Sequence, residues 1–345
     1  MQSVSQRLIR KTPTVSSPAK PSRPHRGAFS LIELMIVITI IAILMSLLLV
    51  GVRGAMNTAR NATVTVEFKQ LEKGIADFKA KYGAEPPSSI VLFEATAGWT
   101  GSSPSAVIVN RSRALVRQMW PDFDFSIARD INGDNDALDT ITLNGSECLV
   151  FFLGGLNSTN VVNQSGTLIG TTGAVITTWA PLGFSANPTN PFARGGARSG
   201  PFHEFSNIRV TNRDGSADAE GMPEYLDQLP GQRNPILYAS SYGGRGYRDA
   251  DVQFTTQPTY NAYSTLPTGF AYFYRRYTGT NPATAANFIA APAFNPKSCQ
   301  LISPGSDGEY GWGGTLSADM EMIEPRAERY FERDNITNFK GGTIN

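Results

Sequence analysis

From Ala28 to Val52 the chain reads AFSLIELMIVITIIAILMSLLLVGV, 25 residues carrying one charge, Glu33. Leu34 to Val52 is 19 uncharged residues, about 29 Å as a helix at ~1.5 Å per residue and enough to cross a bilayer core. Past this run the apolar positions become periodic. Val64, Phe68, Leu71, Ile75, Phe78 and Tyr82 step by 4, 3, 4, 3 and 4, which is one stripe of a helix. Glu67, Lys69, Gln70, Glu72, Lys73, Asp77 and Lys79 fill positions between. Gly83 is a C-terminal stop and Pro86-Pro87 forbids continuation. The two stretches join into one predicted helix, Leu31 to Tyr82, with Gly51 and Gly54 as places where it can bend. The stripe is too short for much of a coiled coil, so it is read as the face that the rest of the chain covers.

Beyond residue 88 the pattern shortens. AVIVN (106–110), TLIGTTGAVITTW (167–179), NIRVTN (207–212), ILYAS (236–240), FAYFYRRY (270–277) and CQLIS (299–303) are β-rich or alternating runs separated by Gly, Pro and Asn clusters. They predict an antiparallel sheet with long loops. ECLVFFLGGL (147–156) reads equally as a buried strand or as a short helix started by Ser146. The stretches 183–200 and 278–296 read as insertions or surface excursions. High Gly (33) and Pro (22) agree with a turn-rich body. The predicted class is α+β, a long N-terminal helix packed on an antiparallel β-sheet body.

Charge sharpens the picture at the N-terminus. Six of the 30 Lys and Arg lie before Phe29, with no acid among them, and the remaining 24 face 29 Asp and Glu. The body is mildly acidic and offers no nucleic-acid groove. Basic residues ahead of the apolar run keep the N-terminus cytoplasmic and put the body on the outer side of the membrane. Glu33 fits neither a signal peptide nor a plain anchor, because a carboxylate in a spanning helix costs about 2.5–3.5 kcal/mol at the centre.

RGAFSLIELMIVITIIAIL (26–44) resembles the N-terminus of type IV pilins and type II secretion pseudopilins. In that family a basic leader ends in a small residue, prepilin peptidase cuts there, the new first residue is usually an N-methylated Phe, and a Glu stands fifth. Counting back from Glu33 makes Phe29 the first mature residue, preceded by Ala28 and Gly27. Ala28 departs from the usual Gly, which leaves cleavage after Gly27 as an alternative. The resemblance implies residues 1–28 as a cleaved leader, 29–52 as the membrane half of the helix, 53–83 as its amphipathic half and 84–345 as a pilin-like periplasmic body. It also implies an ion pair between Glu33 and the amine of a neighbouring subunit, whose formation offsets the cost of the isolated carboxylate. FKAKYGAEPPS (78–88) is similar to the family's helix end.

Two acidic loops are candidates for calcium. DINGDNDALD places Asp130, Asn132, Asp134 and Asp136 at alternate positions, a spacing of oxygen donors that hard cations favour. It lacks the Gly at position 6 and Glu at position 12 of an EF-hand, and an Asx-rich turn without metal has the same spelling. LISPGSDGEYGWGG (301–314) with RDNITNF (333–339) resembles the calcium loop of the major type II pseudopilin. The resemblance implies Asp307 and Asp334 as carboxylate ligands, backbone oxygens near Leu301 and Ser303 as helpers, and Asp319 as a fallback.

Enzymatic constellations are thin. Only two His occur, and His25 belongs to the leader, so a triad would rest on His203 alone. No Walker or Rossmann spacing is present. Cys148 and Cys299 have no metal spacing and allow either one disulfide or two buried thiols. The expected function is structural, not enzymatic: a type II pseudopilus subunit whose partners are copies of itself or other pseudopilins, prepilin peptidase, the inner-membrane assembly platform and membrane lipid. The alternatives are a minor pilin at a pilus tip and a membrane-tethered extracytoplasmic enzyme or binding protein.

Overall fold

A computed structural model describes residues 30–101, 103–133, 136–157, 180–211, 222–248, 251, 273–276, 292–310, 314–316 and 332–344. Gly27, Ala28, Phe29, Asp134, Asp319 and the predicted strand at 167–179 lie outside the described residues. The chain divides between Gly54 and Ala55 into two compact units.

Helix α1 runs Leu31–Tyr82, 52 residues, the span the apolar pattern predicts. In the first unit its large apolar side chains are exposed, Leu31, Ile36, Ile40, Leu44 and Leu47 among them. An 18-residue window there has mean hydropathy 3.0 with none of it buried. In water such a surface is unfavourable, and a lipid phase is its natural solvent. In the second unit α1 buries one face only. Val64, Phe68, Leu71 and Phe78 are fully covered and Ile75 nearly so, while Val66, Lys69 and Lys73 on the other side stay exposed. Gly83 ends the helix at φ +72°, a left-handed turn that glycine makes without a steric penalty.

The stripe is covered by an α+β body. Strand β1 (Ser89–Phe93) pairs antiparallel with β2 (Thr140–Asn144), Ser89 opposite Asn144 and Phe93 opposite Thr140. Neither strand stands out in the sequence beside the stronger apolar runs. Between them lies α2 (Ala106–Met119). This corrects the strand reading of AVIVN. The positions that matter are Val109, Ser112, Val116 and Met119, which are buried at helical spacing, whereas Val107 is 78 % exposed. A five-residue apolar run has either period, and only its continuation to Met119 distinguishes them. Ser105 caps α2 by accepting the Ile108 N–H at 3.3 Å.

Helix α3 (Gly145–Gly154) resolves the second ambiguity, since ECLVFFLG is helical and every residue is buried. A helix apolar on all sides belongs inside a protein. Its cap is Asn144, in a reciprocal capping box with Glu147, so Ser146 is not the start signal. Around α3 gather Phe151, Phe152, Phe184, Phe192 and Phe78, with Phe78 and Phe152 edge to face at 5.7 Å. Phe184 and Phe192 come from 183–200. That stretch is therefore not a surface excursion but a small hairpin, β3 (Phe184–Ser185) with β4 (Arg198–Ser199), that places two rings in the core.

NIRVTN splits into a 3-10 turn, Asn207–Arg209, and β5 (Val210–Thr211), which pairs with β6 (Glu224–Tyr225). The main sheet contains β7 (Leu237–Ser240), β9 (Cys299–Ser303), β11 (Ile336–Thr337) and β12 (Gly342–Thr343) in the order β12-β11-β9-β7, all antiparallel. Strand β8 (Tyr274–Arg276) pairs parallel with β10 (Gly314–Leu316), unlike the other strand pairs among the described residues. ILYAS and CQLIS are strands as predicted.

Candidate functional sites: the helix start and two acidic loops

Glu33 lies three residues after Ser30, and the pair forms a cap at the start of α1. The Ser30 N–H donates to Glu33 Oε2 at 2.8 Å, and the Glu33 N–H reaches Ser30 Oγ at 3.4 Å. Ser-x-x-Glu ahead of an apolar helix is a capping box, and a carboxylate in a first turn also meets the positive end of the helix dipole. The charge that looks anomalous in an apolar run thus has a local partner in the single chain.

The C-terminal loop is built by the sheet. β9 and β11 pair Ser303 with Ile336 and Ile302 with Thr337, which brings 301–309 beside Asp334. Asp334 Oδ2 accepts from the Ser306 N–H at 2.6 Å, the Ser306 hydroxyl at 2.7 Å and the Asp307 N–H at 3.0 Å. Gly305 has φ +71°, and a Cβ there would run into the Asp334 carbonyl. Asp307 is pushed up to about 6, chiefly by burial; a backbone hydrogen bond from Glu309 opposes this, and the charges of Asp334 and Glu309 add to it. Two carboxylates expected as ligands are therefore neighbours. The Leu301 carbonyl accepts the Asn338 N–H at 3.2 Å within the core of the sheet. The Ser303 hydroxyl donates to Asp227 and accepts from the Gly305 N–H at 3.1 Å. Asp227, 2 % exposed, is a support that the sequence did not reveal. It also accepts from Leu229 N at 2.8 Å and Gln232 Nε2 at 2.9 Å, and burial pushes its carboxyl up.

The loop at 130–139 is arranged around an acid from elsewhere, Glu94, which follows β1 and is fully buried. Its Oε1 accepts the Ile131 N–H at 2.6 Å and the Asn132 N–H at 3.3 Å, and its Oε2 accepts the Asp139 N–H at 3.2 Å. Burial pushes Glu94 up to about 7 against those hydrogen bonds, with the Asp139 charge adding a little. Asp130 Oδ1 accepts from Gly133 N, three residues on, at 2.5 Å, and Asp136 Oδ1 from Leu138 N at 2.9 Å, the latter an Asx turn. Asn132 Nδ2 donates to Asp139 at 2.8 Å. Among the described residues of the predicted set, Asp136 joins a cluster of carboxylate oxygens with Glu94 and Asp139, all within 4.8 Å of one another. Glu94 is 36 residues before Asp130, beyond the reach of any local spacing rule.

The remaining candidates are structural. Cys148 and Cys299 are buried free thiols, so the bridge does not form in this structure. Burial pushes Cys299 up to about 12 and Cys148 well up, which leaves both unreactive at neutral pH. His203 packs on Phe205 with ring centroids 4.7 Å apart. Burial, then the charge of Arg209, holds it down to about 4, so it is a neutral packed ring at neutral pH. Glu67, at the i+3 position from Val64, faces inward with the stripe. It is 2 % exposed and its Oε1 lies 2.6 Å from Arg209 Nη2.

A family model described as the prokaryotic N-terminal methylation motif matches residues 23–49. The chain carries the signature of the type IV pilin and pseudopilin family. The matched segment contains Gly27, Ala28, Phe29 and Glu33 and ends inside the apolar half of α1. The motif and the apolar helix are features of membrane-anchored, pilin-type chains that prepilin peptidase processes and that assemble with other pilins. No match exists among curated proteins, and none among solved structures.

Proposed function

We propose that the protein is a structural subunit of a type II secretion pseudopilus. Prepilin peptidase removes residues 1–28 on the cytoplasmic face, and Phe29 becomes the methylated N-terminus. The chain then waits in the inner membrane with its body periplasmic. The assembly platform draws it, with copies of itself or other pseudopilins, into a periplasmic filament that drives protein export. Its role is mechanical, and no covalent chemistry is assigned to the body.

The observation that carries the secretion reading is the juxtaposition of Asp307 and Asp334 by β9 and β11, next to glycines of positive φ at 305 and 308. Two adjacent carboxylates and loop carbonyls are a hard-oxygen donor set, and Asp307 is raised in part by the charge of its neighbour. The residues present fit calcium there, with Asp307 and Asp334 holding it. Bound calcium would neutralise this pair and fix the loop. Asp334 also organises 306–307 directly through its three hydrogen bonds.

Glu33 has a role in this scheme beyond capping. A neighbour's terminal amine can pair with the carboxylate that the Ser30 N–H holds in the single chain, and in hydrocarbon the charged pair is worth more than a neutral cap. Mass and N-terminal sequence of the protein from native membranes test the reading. A chain starting at N-methylated Phe29 is expected. An intact Met1 in cells with active prepilin peptidase would favour the tethered-protein alternative.

A further inference from the structure

Gln232 lies between β6 and β7 and reaches the C-terminal loop. Its amide is fixed end for end. Nε2 donates to Asp227 Oδ2 at 2.9 Å and to the Gly305 carbonyl at 3.0 Å. Both partners are oxygen acceptors, so this end carries the two N–H groups and both are engaged. The other end, Oε1, is thereby held in one direction. The Oε1 atom is buried and accepts no hydrogen bond among the described residues. It faces Gly308, where an added Cβ would stand 3.3 Å from it. Gly308 directly follows Asp307, and its carbonyl accepts from Asn234 Nδ2 at 2.6 Å. The two carboxylates of the loop are only partly engaged. Asp307 Oδ1 takes the Glu309 N–H at 2.8 Å, and the three donors to Asp334 all meet its Oδ2.

A buried carbonyl oxygen without a donor is uncommon in a folded protein and calls for a partner, an ion among them. We propose that Gln232 Oε1 is a further ligand of the calcium that Asp307 and Asp334 would hold. The inference rests on the calcium reading of the C-terminal loop. Calcium takes about six to eight oxygens, amide carbonyls included. Two aspartates leave that shell short, and an amide adds an oxygen without adding charge. The Nε2 bonds already order the side chain, so little ordering is left for binding to impose. Gln232 precedes Gly305 by 73 residues, so the ion would tie two loops that are distant in sequence.

The test uses the full chain in non-ionic detergent, treated with chelator and labelled with carbon-13 at the glutamine side-chain carbonyl. Calcium chloride is titrated in, and binding is read by calorimetry and by carbon NMR. Binding is expected, weakened about tenfold or more in Gln232→Ala, as loss of a group at a metal site does. Gln70→Ala, which removes an exposed amide on α1, should bind as the parent does. The carbonyl resonance that Gln232→Ala deletes should move downfield on binding, further than any other glutamine carbonyl. This readout separates a ligand from a brace, because losing the Nε2 bonds alone can weaken Gln232→Ala while the parent's resonance stays in place. Calcium binding that is lost in Asp307→Asn but leaves this resonance unmoved would keep the calcium loop and overturn Gln232 as a ligand. No calcium binding, or binding undiminished in Asp307→Asn, would overturn the calcium reading and this inference with it.

Discussion

Arg209→Met should be among the most damaging single changes in the body. Glu67 lies on the covered face of α1 at 2 % exposure, and Arg209 Nη2 meets it at 2.6 Å. The guanidinium also donates to the Leu226 carbonyl at 3.2 Å and to the Tyr225 hydroxyl, and it stacks over the Tyr225 ring at 4.5 Å. Two opposite charges some 4 Å apart attract by about 4 kcal/mol at an effective dielectric near 20. Desolvation of both ions offsets much of this, so the intact pair contributes little net. Losing one partner is different, because Glu67 would keep its burial cost without compensation. The expected loss is about 3–5 kcal/mol, or a fall in Tm of about 6–15 °C for a body of this size. Urea unfolding of the full chain in non-ionic detergent, followed by the fluorescence of buried Trp99 and Trp120, measures it. The double variant Glu67→Leu with Arg209→Met removes both charges and should return to within about 2 kcal/mol of the parent. If Arg209→Met costs less than about 1 kcal/mol, or if the double variant is no better than the single, the buried pair does not fasten α1 as argued.

Glu33→Ala should leave insertion and leader cleavage intact while reducing incorporation into filaments, read by fractionation of sheared and membrane-bound protein; normal incorporation would refute the ion-pair role. Gly305→Ala forces a Cβ into the Asp334 carbonyl at a left-handed position, and the strain alone is about 1–2 kcal/mol. Calcium should raise the parent's Tm and chelation reverse it, with both responses lost in the variant; an unchanged response would refute the loop as the metal site. His203 is held down to about 4 by burial against about 6.5 in an unfolded chain. The unfolded state therefore binds more protons between these values, and stability should fall as pH drops from about 6.5 to about 4. The loss is bounded at about 3 kcal/mol and reduced by the solvent that reaches the half-buried ring. His203→Phe should flatten that part of the stability–pH curve, and an unaltered slope would show that other groups cause it.

What was legible at the outset was the repetitive part. Val64, Phe68, Leu71, Ile75, Phe78 and Tyr82 announce the covered face through spacing alone, and α1 ends at Tyr82 because Gly83 and Pro86-Pro87 follow. Glu67 could have been read from the same wheel, since i+3 from Val64 points inward, yet its charge suggested solvent. AVIVN misled because five apolar residues cannot distinguish a period of 2 from one of 3.6. The stretch 183–200 misled because Gly, Pro and Asn dominate it, while Phe184 and Phe192, which carry its energetics, are few.

The sequence by itself determined the membrane run, its basic leader, the processing motif and the amphipathic stripe, because each is written in consecutive or helically spaced residues. It also singled out Asp307 and Asp334, through resemblance. Only the tertiary structure decided what surrounds them. It engaged the Leu301 carbonyl in the sheet, brought Asp227 under the loop, and set Glu94 beneath a turn that begins 36 residues later. It also turned the Gln232 amide toward Gly308. Strand pairing and core packing join residues regardless of their separation along the chain. The geometry of a site built by such pairing exists only once the chain has folded.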